Sequence, residues 1–218
     1  MLKHIPNALS LTRLILAPVI AWLMWKSMDL PHQHGPIATP EMMHGVANYI
    51  STAAVLFVIA ALTDLFDGMA ARAFNAQSKL GRIIDPIADK ALVGLPLIAL
   101  SIGVLSNGYP PAPLIAAATA VIVIRDVLMT VIRLSSSDGE GARVSSLAKW
   151  KTALELLIVG SILVVDAVQS QIQAQDVTRV FEPPLFLAFQ QAWLALLVVT
   201  AALSAYTAWQ YLTPPKKS

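Results

Sequence analysis

The sequence predicts an all-α integral membrane protein of six transmembrane helices, and three observations predict it. Hydrophobic residues make up 56% of the 218 residues and charged residues only 13%, against roughly 25% charged in soluble domains. The apolar residues gather in six runs that approach the roughly 20 residues a bilayer crossing needs. The connections between runs alternate in charge, as the two sides of a membrane do. A spanning backbone must satisfy its own hydrogen bonds, so each run is read as a helix. The period-2 pattern of a membrane barrel is absent. No internal repeat, linker or low-complexity tract divides the chain, so 1–218 is read as a single transmembrane domain.

The runs lie near 8–26, 47–66, 83–105, 112–134, 147–168 and 186–211. The first follows Lys3 and has the outline of a signal peptide. No small-residue cleavage pattern comes after it, only Lys26, Ser27, Met28 and Asp29, so it is read as a retained span. Pro18 is expected to bend it. In the 27–46 connection, Pro31, Pro36 and Pro40 are expected to break any helix. His32, His34 and His44 there read as part of an exposed outer loop, since no carboxylate spacing makes them a ligand set. Pro86 is expected to open or bend the third helix. Ser135–Ser137, Gly139 and Gly141 mark a loop between the fourth and fifth runs, and Pro214–Ser218 a frayed tail. Trp22, Trp25, Trp193, Trp209, Tyr206 and Tyr211 read as interfacial anchors. Asp166 and Asp176 fall toward the outer face and need no role.

Charge placement orients the chain. Lys3, Arg13, Arg72, Lys79, Arg82, Arg125, Arg133, Arg143, Lys149, Lys151, Lys216 and Lys217 fall on one side of a six-span arrangement, 12 of the 15 basic residues. The positive-inside rule puts that side, with both termini, in the cytoplasm, as in a multi-pass protein of the inner (cytoplasmic) membrane. The net charge is +2 with a pI near 9.0. No basic cluster with interleaved aromatics accompanies it, so nucleic acid is not a partner. The absence of cysteine excludes a disulfide framework, thiolate metal sites and a Cys nucleophile.

Against this apolar background stand Asp64, Asp67, Asp85 and Asp89, in the pattern D-x-x-D-G-x-x-A-R-x8-G-x3-D-x3-D. An Asp at bilayer depth costs about 2.5–3.5 kcal/mol on insertion scales. Asp64 and Asp67 are three apart and share a helix face, as do Asp85 and Asp89, four apart. Two facing helices would present four hard oxygen donors to one point, a set suited to Mg2+ or Mn2+. Two ions could be held, with Asp67 or Asp85 bridging them. Gly68, Ala71 and Gly81 let a backbone or ligand come close. Arg72, a cation among anions, suits a phosphate. A dimetal site with an Arg and glycines is the layout of phosphoryl-group chemistry. Singly, each Asp is explained as a helix end paired with Arg72, Arg82 or Lys90. Eight positions matched over 26 residues are not.

At these residues the sequence resembles the CDP-alcohol phosphatidyltransferase family, whose motif is filled at every position. The resemblance covers nearly the whole chain, including six membrane helices. The opening I-P-N-A-L-S-L-T-R at Ile5–Arg13 is similar to the start of phosphatidylglycerophosphate synthases and eukaryotic-type cardiolipin synthases. The resemblance implies that Asp64, Asp67 and Asp85 hold divalent ions gripping a CDP diphosphate. It implies Asp89 as general base and a further ligand, and Gly68, Ala71, Arg72 and Gly81 as the shape of the nucleotide site. It implies attack by an alcohol on the lipid-linked phosphate of CDP-diacylglycerol, release of CMP without a covalent enzyme intermediate, and a homodimer as the default assembly. The lipid tails need lateral access from the bilayer.

A phosphomonoester acceptor such as glycerol 3-phosphate needs its own cationic clamp, and Arg125, Arg133, Lys149 and Lys151 are the candidates. The stretches Ile124–Leu134 and Ser146–Thr152 resemble phosphatidylglycerophosphate synthases, while Arg125-Asp126 is more like cardiolipin synthases, which take phosphatidylglycerol. Arg125 sits within an apolar run and needs a partner. Lys151 has Glu155 one turn on, with which it can pair. A cation transporter is the rival from another class. It predicts ionisable groups near midplane in repeated halves, and no second copy of the acidic cluster is present. A non-catalytic scaffold would not need all eight positions.

Overall fold

The computed structural model describes residues 5–34, 39–74, 81–135, 146–176 and 184–213. Within these, the side chains of 5–7, 32–34, 64–74, 82, 133–134, 146–149 and 212 are outside the description. The described residues form six α-helices and no strand: α1 (Ile5–His34), α2 (Pro40–Phe74), α3 (Gly81–Ser106), α4 (Ala112–Ser135), α5 (Ser146–Gln175) and α6 (Pro184–Leu212). Each contains a stretch long and apolar enough to cross a membrane. The chain is therefore an all-α, multi-pass membrane protein. Val55, Ile59, Ile124, Val131, Leu157 and Val199 are exposed on four of the helices. Apolar side chains on the outward as well as the inward faces are what a lipid solvent selects.

The helices run well past the apolar runs, most clearly between α1 and α2. The break expected across 27–46 is confined to the few residues between the two helices: α1 continues through Pro31 to His34 and α2 starts at Pro40. Pro31 falls in the last turn of α1, where a missing N–H and a ring clash disturb little helix beyond it. Pro40 occupies a first helical position, where its fixed φ is preorganised and no N–H is needed. Thr39 caps α2: its Oγ1 accepts from the Met42 N–H at 3.3 Å and its carbonyl from the Met43 N–H at 3.0 Å. His44 is accordingly an exposed helical residue. The side chains of His32 and His34, with Pro36, lie outside the described residues. Pro86 does not open α3, which begins at Gly81; Pro86, Pro96 and, in α1, Pro18 all lie inside helices. The loop expected at Ser136, Ser137, Gly139 and Gly141 and the tail from Pro214 are likewise outside the description.

The helices close around one apolar core. α1 lies against α2 and α3, α2 against α5, α3 against α4 and α5, and α4 and α5 against α6. Ile20, Met24, Phe57, Leu92, Leu97, Ile122, Ile158, Leu163 and Leu197 supply its centre, at least one from every helix. Trp193 belongs here rather than at the membrane interface. It is 6% exposed, and its Nε1 donates to the Ile158 carbonyl at 2.9 Å, joining α6 to α5. Trp22, Trp209, Tyr206 and Tyr211 are exposed, as anchors should be. Gly108, at φ 63°, turns the chain from α3 into α4. The N–H groups of Asn107 and Tyr109 close the end of α3 on the carbonyls of Gly103 and Val104.

Gly103 marks a close approach of α3 to Met28 of α1. A Cβ there would lie 2.4 Å from Met28 Sδ and 3.2 Å from Met28 Cβ, whereas one at Gly94 would meet nothing nearer than 3.6 Å. Gly103→Leu should therefore lower stability by about 1–3 kcal/mol through overpacking, and Gly94→Ala should be nearly neutral. Thermal unfolding of the two variants in detergent reads the difference.

Candidate active site

The first turns of α3 carry Asp85 and Asp89, and neighbouring helices hold that segment on two flanks. On the α1 flank, the Ser10 hydroxyl donates to Asp85 Oδ1. Arg13 Nη1 donates to Asp89 Oδ1 at 2.6 Å. Arg13 Nη2 lies 3.5 Å from Ser10 Oγ, which ties the two donors together. Ser10 and Arg13 are three apart on α1, so one face meets both carboxylates. Ser10 and Arg13 are 1% and 2% exposed, but the Asp89 side chain is 37% exposed. The carboxylate is held from behind and open in front.

The other flank is a charge network on α3, α4 and α5. Lys90, next to Asp89, places Nζ 2.8 Å from Asp126 Oδ2 and 3.5 Å from Glu155 Oε2. Lys151 Nζ donates to Asp126 Oδ1 at 2.5 Å and to Glu155 Oε1. Arg125 Nη1 lies 3.0 Å from Asp126 Oδ1. Lys151 and Glu155 are fully enclosed, while the side chains of Lys90 and Arg125 keep 25% and 13% exposure. Arg13, Asp89, Lys90 and Thr152 line one small cavity where the two flanks meet. Among the described residues the α1 flank has one cation, Arg13, against two carboxylates, Asp85 and Asp89, a net −1. The network has Lys90, Arg125 and Lys151 against Asp126 and Glu155, a net +1. An anionic set and a cationic set thus adjoin at consecutive residues of α3. The first suits a metal cation and the second an anionic group.

Of the residues singled out in the sequence, the structure joins Asp85 and Asp89 to α1, and Arg125 and Lys151 to the network. Gly81 is buried at the start of α3. Asp64, Asp67, Gly68, Ala71 and Arg72 belong to the last turns of α2, Arg133 to α4 and Lys149 to α5, with side chains outside the described residues. Asp85 and Asp89 offer hard carboxylate oxygens one turn apart, but among the described residues no group of three or more His, Asp or Glu side chains converges as a metal site. Lys90 pairs with Asp126 and Glu155 rather than with the aspartates of its own helix. Sequence reasoning missed Ser10 and Arg13 as carboxylate partners, and Asp126 as the hub of the network. The available signal was a Ser and an Arg at helical spacing within an apolar run, because such a run does not hold an Arg without a counter-charge.

A cavity of about 420 Å3 opens away from these groups, between α1, α3, α4, α5 and α6, lined by Met28, Asn107, Tyr109, Asp166, Gln190 and Trp193 among others. On α5, Asp166 lies eleven residues beyond Glu155, about 16 Å along the helix. The cavity is therefore not part of the acidic site.

A family model described as CDP-alcohol phosphatidyltransferase matches residues 3–209. Similar curated proteins include three named CDP-diacylglycerol–glycerol-3-phosphate 3-phosphatidyltransferase. That of Rickettsia prowazekii (strain Madrid E) is 34% identical over 164 residues, covering 73% of this chain and 77% of its own length. That of Bacillus subtilis (strain 168) is 30% identical over 166 residues, covering 73% and 76%. That of Cereibacter sphaeroides is 32% identical over 157 residues, covering 71% of this chain and 61% of its own length. No solved structure matches the chain.

The ion pair of Arg13 with Asp89 yields a prediction independent of any activity. Arg13→Met leaves Asp89 without its cation. A fully buried pair would lose about 3–5 kcal/mol, and exposure of Asp89 reduces this to about 1–3 kcal/mol. Adding Asp89→Asn to Arg13→Met should return part of the loss. A double-mutant cycle on thermal unfolding in detergent measures the coupling, and additive effects would show that the pair contributes nothing.

Proposed function

Because the chain belongs to the CDP-alcohol phosphatidyltransferase family, we propose that it transfers the phosphatidyl group of CDP-diacylglycerol to glycerol 3-phosphate, forming phosphatidylglycerophosphate and releasing CMP. The relatives that carry that activity in their names support the acceptor. The observation that carries the reading in this chain is the junction at Asp89 and Lys90, where a net-negative set adjoins a net-positive one. A diphosphate donor held through cations and a phosphorylated acceptor held by basic side chains need these two environments side by side.

The chemistry at the junction is a single displacement. The acceptor hydroxyl oxygen bonds to the lipid-linked phosphorus of CDP-diacylglycerol, the bond from that phosphorus to the CMP oxygen breaks, and the hydroxyl proton passes to Asp89. A carboxylate that is one-third exposed and hydrogen-bonded on one oxygen by Arg13 is oriented for that role without being closed off. Arg13 also supplies positive potential beside the leaving diphosphate. Asp64, Asp67, Asp85 and Asp89 are the residues that would hold Mg2+ or Mn2+, two ions in this reading, and such ions neutralise phosphate charge when bound. Gly68, Ala71, Arg72 and Gly81 shape the nucleotide site, with Arg72 on phosphate. Arg125, Arg133 and Lys149 are the basic residues assigned to the acceptor side, whereas Lys151, read with them in the sequence, is enclosed by Asp126 and Glu155. The site faces the cytoplasmic leaflet of the inner membrane with both termini on the same side, where the water-soluble acceptor arrives from solvent and the lipid donor from the bilayer.

Three outcomes test this reading. Asp89→Asn should lower CMP release by about 10²–10⁴-fold, the usual worth of general-base catalysis, while the folded protein still binds CDP-diacylglycerol. Normal turnover would remove Asp89 from the mechanism. Release of CMP from CDP-diacylglycerol should need glycerol 3-phosphate. A protein inert with it and active with phosphatidylglycerol would be a cardiolipin synthase. Chelation should stop turnover, and Mg2+ or Mn2+ should restore it. Activity undiminished after exhaustive chelation would exclude a metal from the site.

A further inference from the structure

Lys151 is drawn toward the acceptor clamp by its position at the start of α5, yet the structure places it where an acceptor phosphate does not reach. It is 1% exposed, and its ammonium is engaged by Asp126 Oδ1 and Glu155 Oε1. Glu155, at 0% exposure, faces Lys151 with one oxygen and Lys90 with the other. Asp126 divides its oxygens in the same way, Oδ1 toward Lys151 and Oδ2 toward Lys90. The four residues form a closed ring of alternating charge, Lys90, Asp126, Lys151 and Glu155, spanning α3, α4 and α5. Its one partly exposed cation is Lys90, covalently next to Asp89.

We propose that Lys151 and Glu155 are positioning residues: they fix Lys90 through the ring and so hold the Asp85–Asp89 turn of α3 against Ser10 and Arg13, without touching either substrate. The assignment rests on the reading of Asp89 as the base. Three features carry it. Both residues are enclosed, so a phosphate would have to displace a carboxylate to reach Lys151. The ring makes its contact with α3 at Lys90, the residue following Asp89. On the opposite flank the same turn is gripped by Ser10 and Arg13, so the turn that carries the aspartates is held from two sides.

The test separates positioning from substrate contact. Glu155→Gln raises the network from a net +1 to +2, Lys151→Met lowers it to zero, and the double variant returns it to +1. Each single variant should lower kcat about 10-fold or more with KM for glycerol 3-phosphate changed less than twofold, and the double variant should recover most of the loss. If Lys151 binds the acceptor phosphate instead, Lys151→Met raises that KM about 10-fold or more at near-normal kcat, and Glu155→Gln does not rescue it. That result overturns the proposal. A second readout needs no turnover. The chain has no cysteine, so spin labels can be placed at Ile87 and Leu157, exposed on α3 and α5. The distribution of distances between them should broaden in either single variant and narrow again in the double. An unchanged distribution in both singles also overturns the proposal. A protein that releases no CMP with glycerol 3-phosphate removes the acceptor assignment, and the label distances then decide the positioning claim alone.

Discussion

A charged side chain in an apolar bundle must find its counter-charge inside the bundle, and this constraint organises the catalytic end of the molecule. Arg13, Lys90, Arg125 and Lys151 are four cations within otherwise hydrophobic helices, and Asp85, Asp89, Asp126 and Glu155 are four described anions set against them. Arg125–Asp126 and Lys151–Glu155 pair within α4 and α5, and the other pairings join helices: α1 to α3, α3 to α4 and α5, and α4 to α5. Dispersion and apolar burial would hold six greasy helices together in many rotations. The ion pairs admit few, because a rotation that takes a charge from its partner leaves it facing hydrocarbon at a cost of several kcal/mol. The pairs therefore specify helix register more than they stabilise the bundle.

This view also separates two kinds of charge that look alike in the sequence. The Arg13 and Asp89 pair is asymmetric: the cation is enclosed and the carboxylate reaches the surface. The Lys151 and Glu155 pair is enclosed on both sides. A pair of the first kind presents one reactive group to solvent and keeps its partner as support. A pair of the second kind presents nothing and serves only to set the geometry of what it touches. Chemistry is thus concentrated on α3, whose acidic turn is the element both kinds of pair grip.

How much of this could be read beforehand follows from where the information sits. The six helices were legible because lipid imposes a strong and local rule, a sustained apolar run. Their ends were not, because the rule concerns the hydrocarbon core and is silent once a helix emerges. Residues 27–46 show it: the prolines argue for a loop, but Pro31 is late enough and Pro40 early enough in its helix to be tolerated, and Thr39 supplies the cap. Trp193 went to the interface by residue type. Its burial against α5 depends on which face of α6 turns inward, and apolar side chains are spread around α6.

The candidate site was legible in its chemistry and not in its supports. Aspartates at three- and four-residue spacing announce a shared face from the sequence alone. Their partners lie about 75 residues away, with |i−j| of 75 for Ser10 and Asp85 and 76 for Arg13 and Asp89, and no local pattern links them. The same holds for Lys90, whose nearest acids in sequence are Asp85 and Asp89 but whose partners are on α4 and α5. Helical phase explains the choice. Residues 85 and 89 are one turn apart and face α1, while residue 90 is rotated a further 100° or so and faces α4 and α5. One step along the helix separates Asp89, proposed as the general base, from Lys90, the cation of the ring, so the two cannot exchange places without turning α3 about its axis.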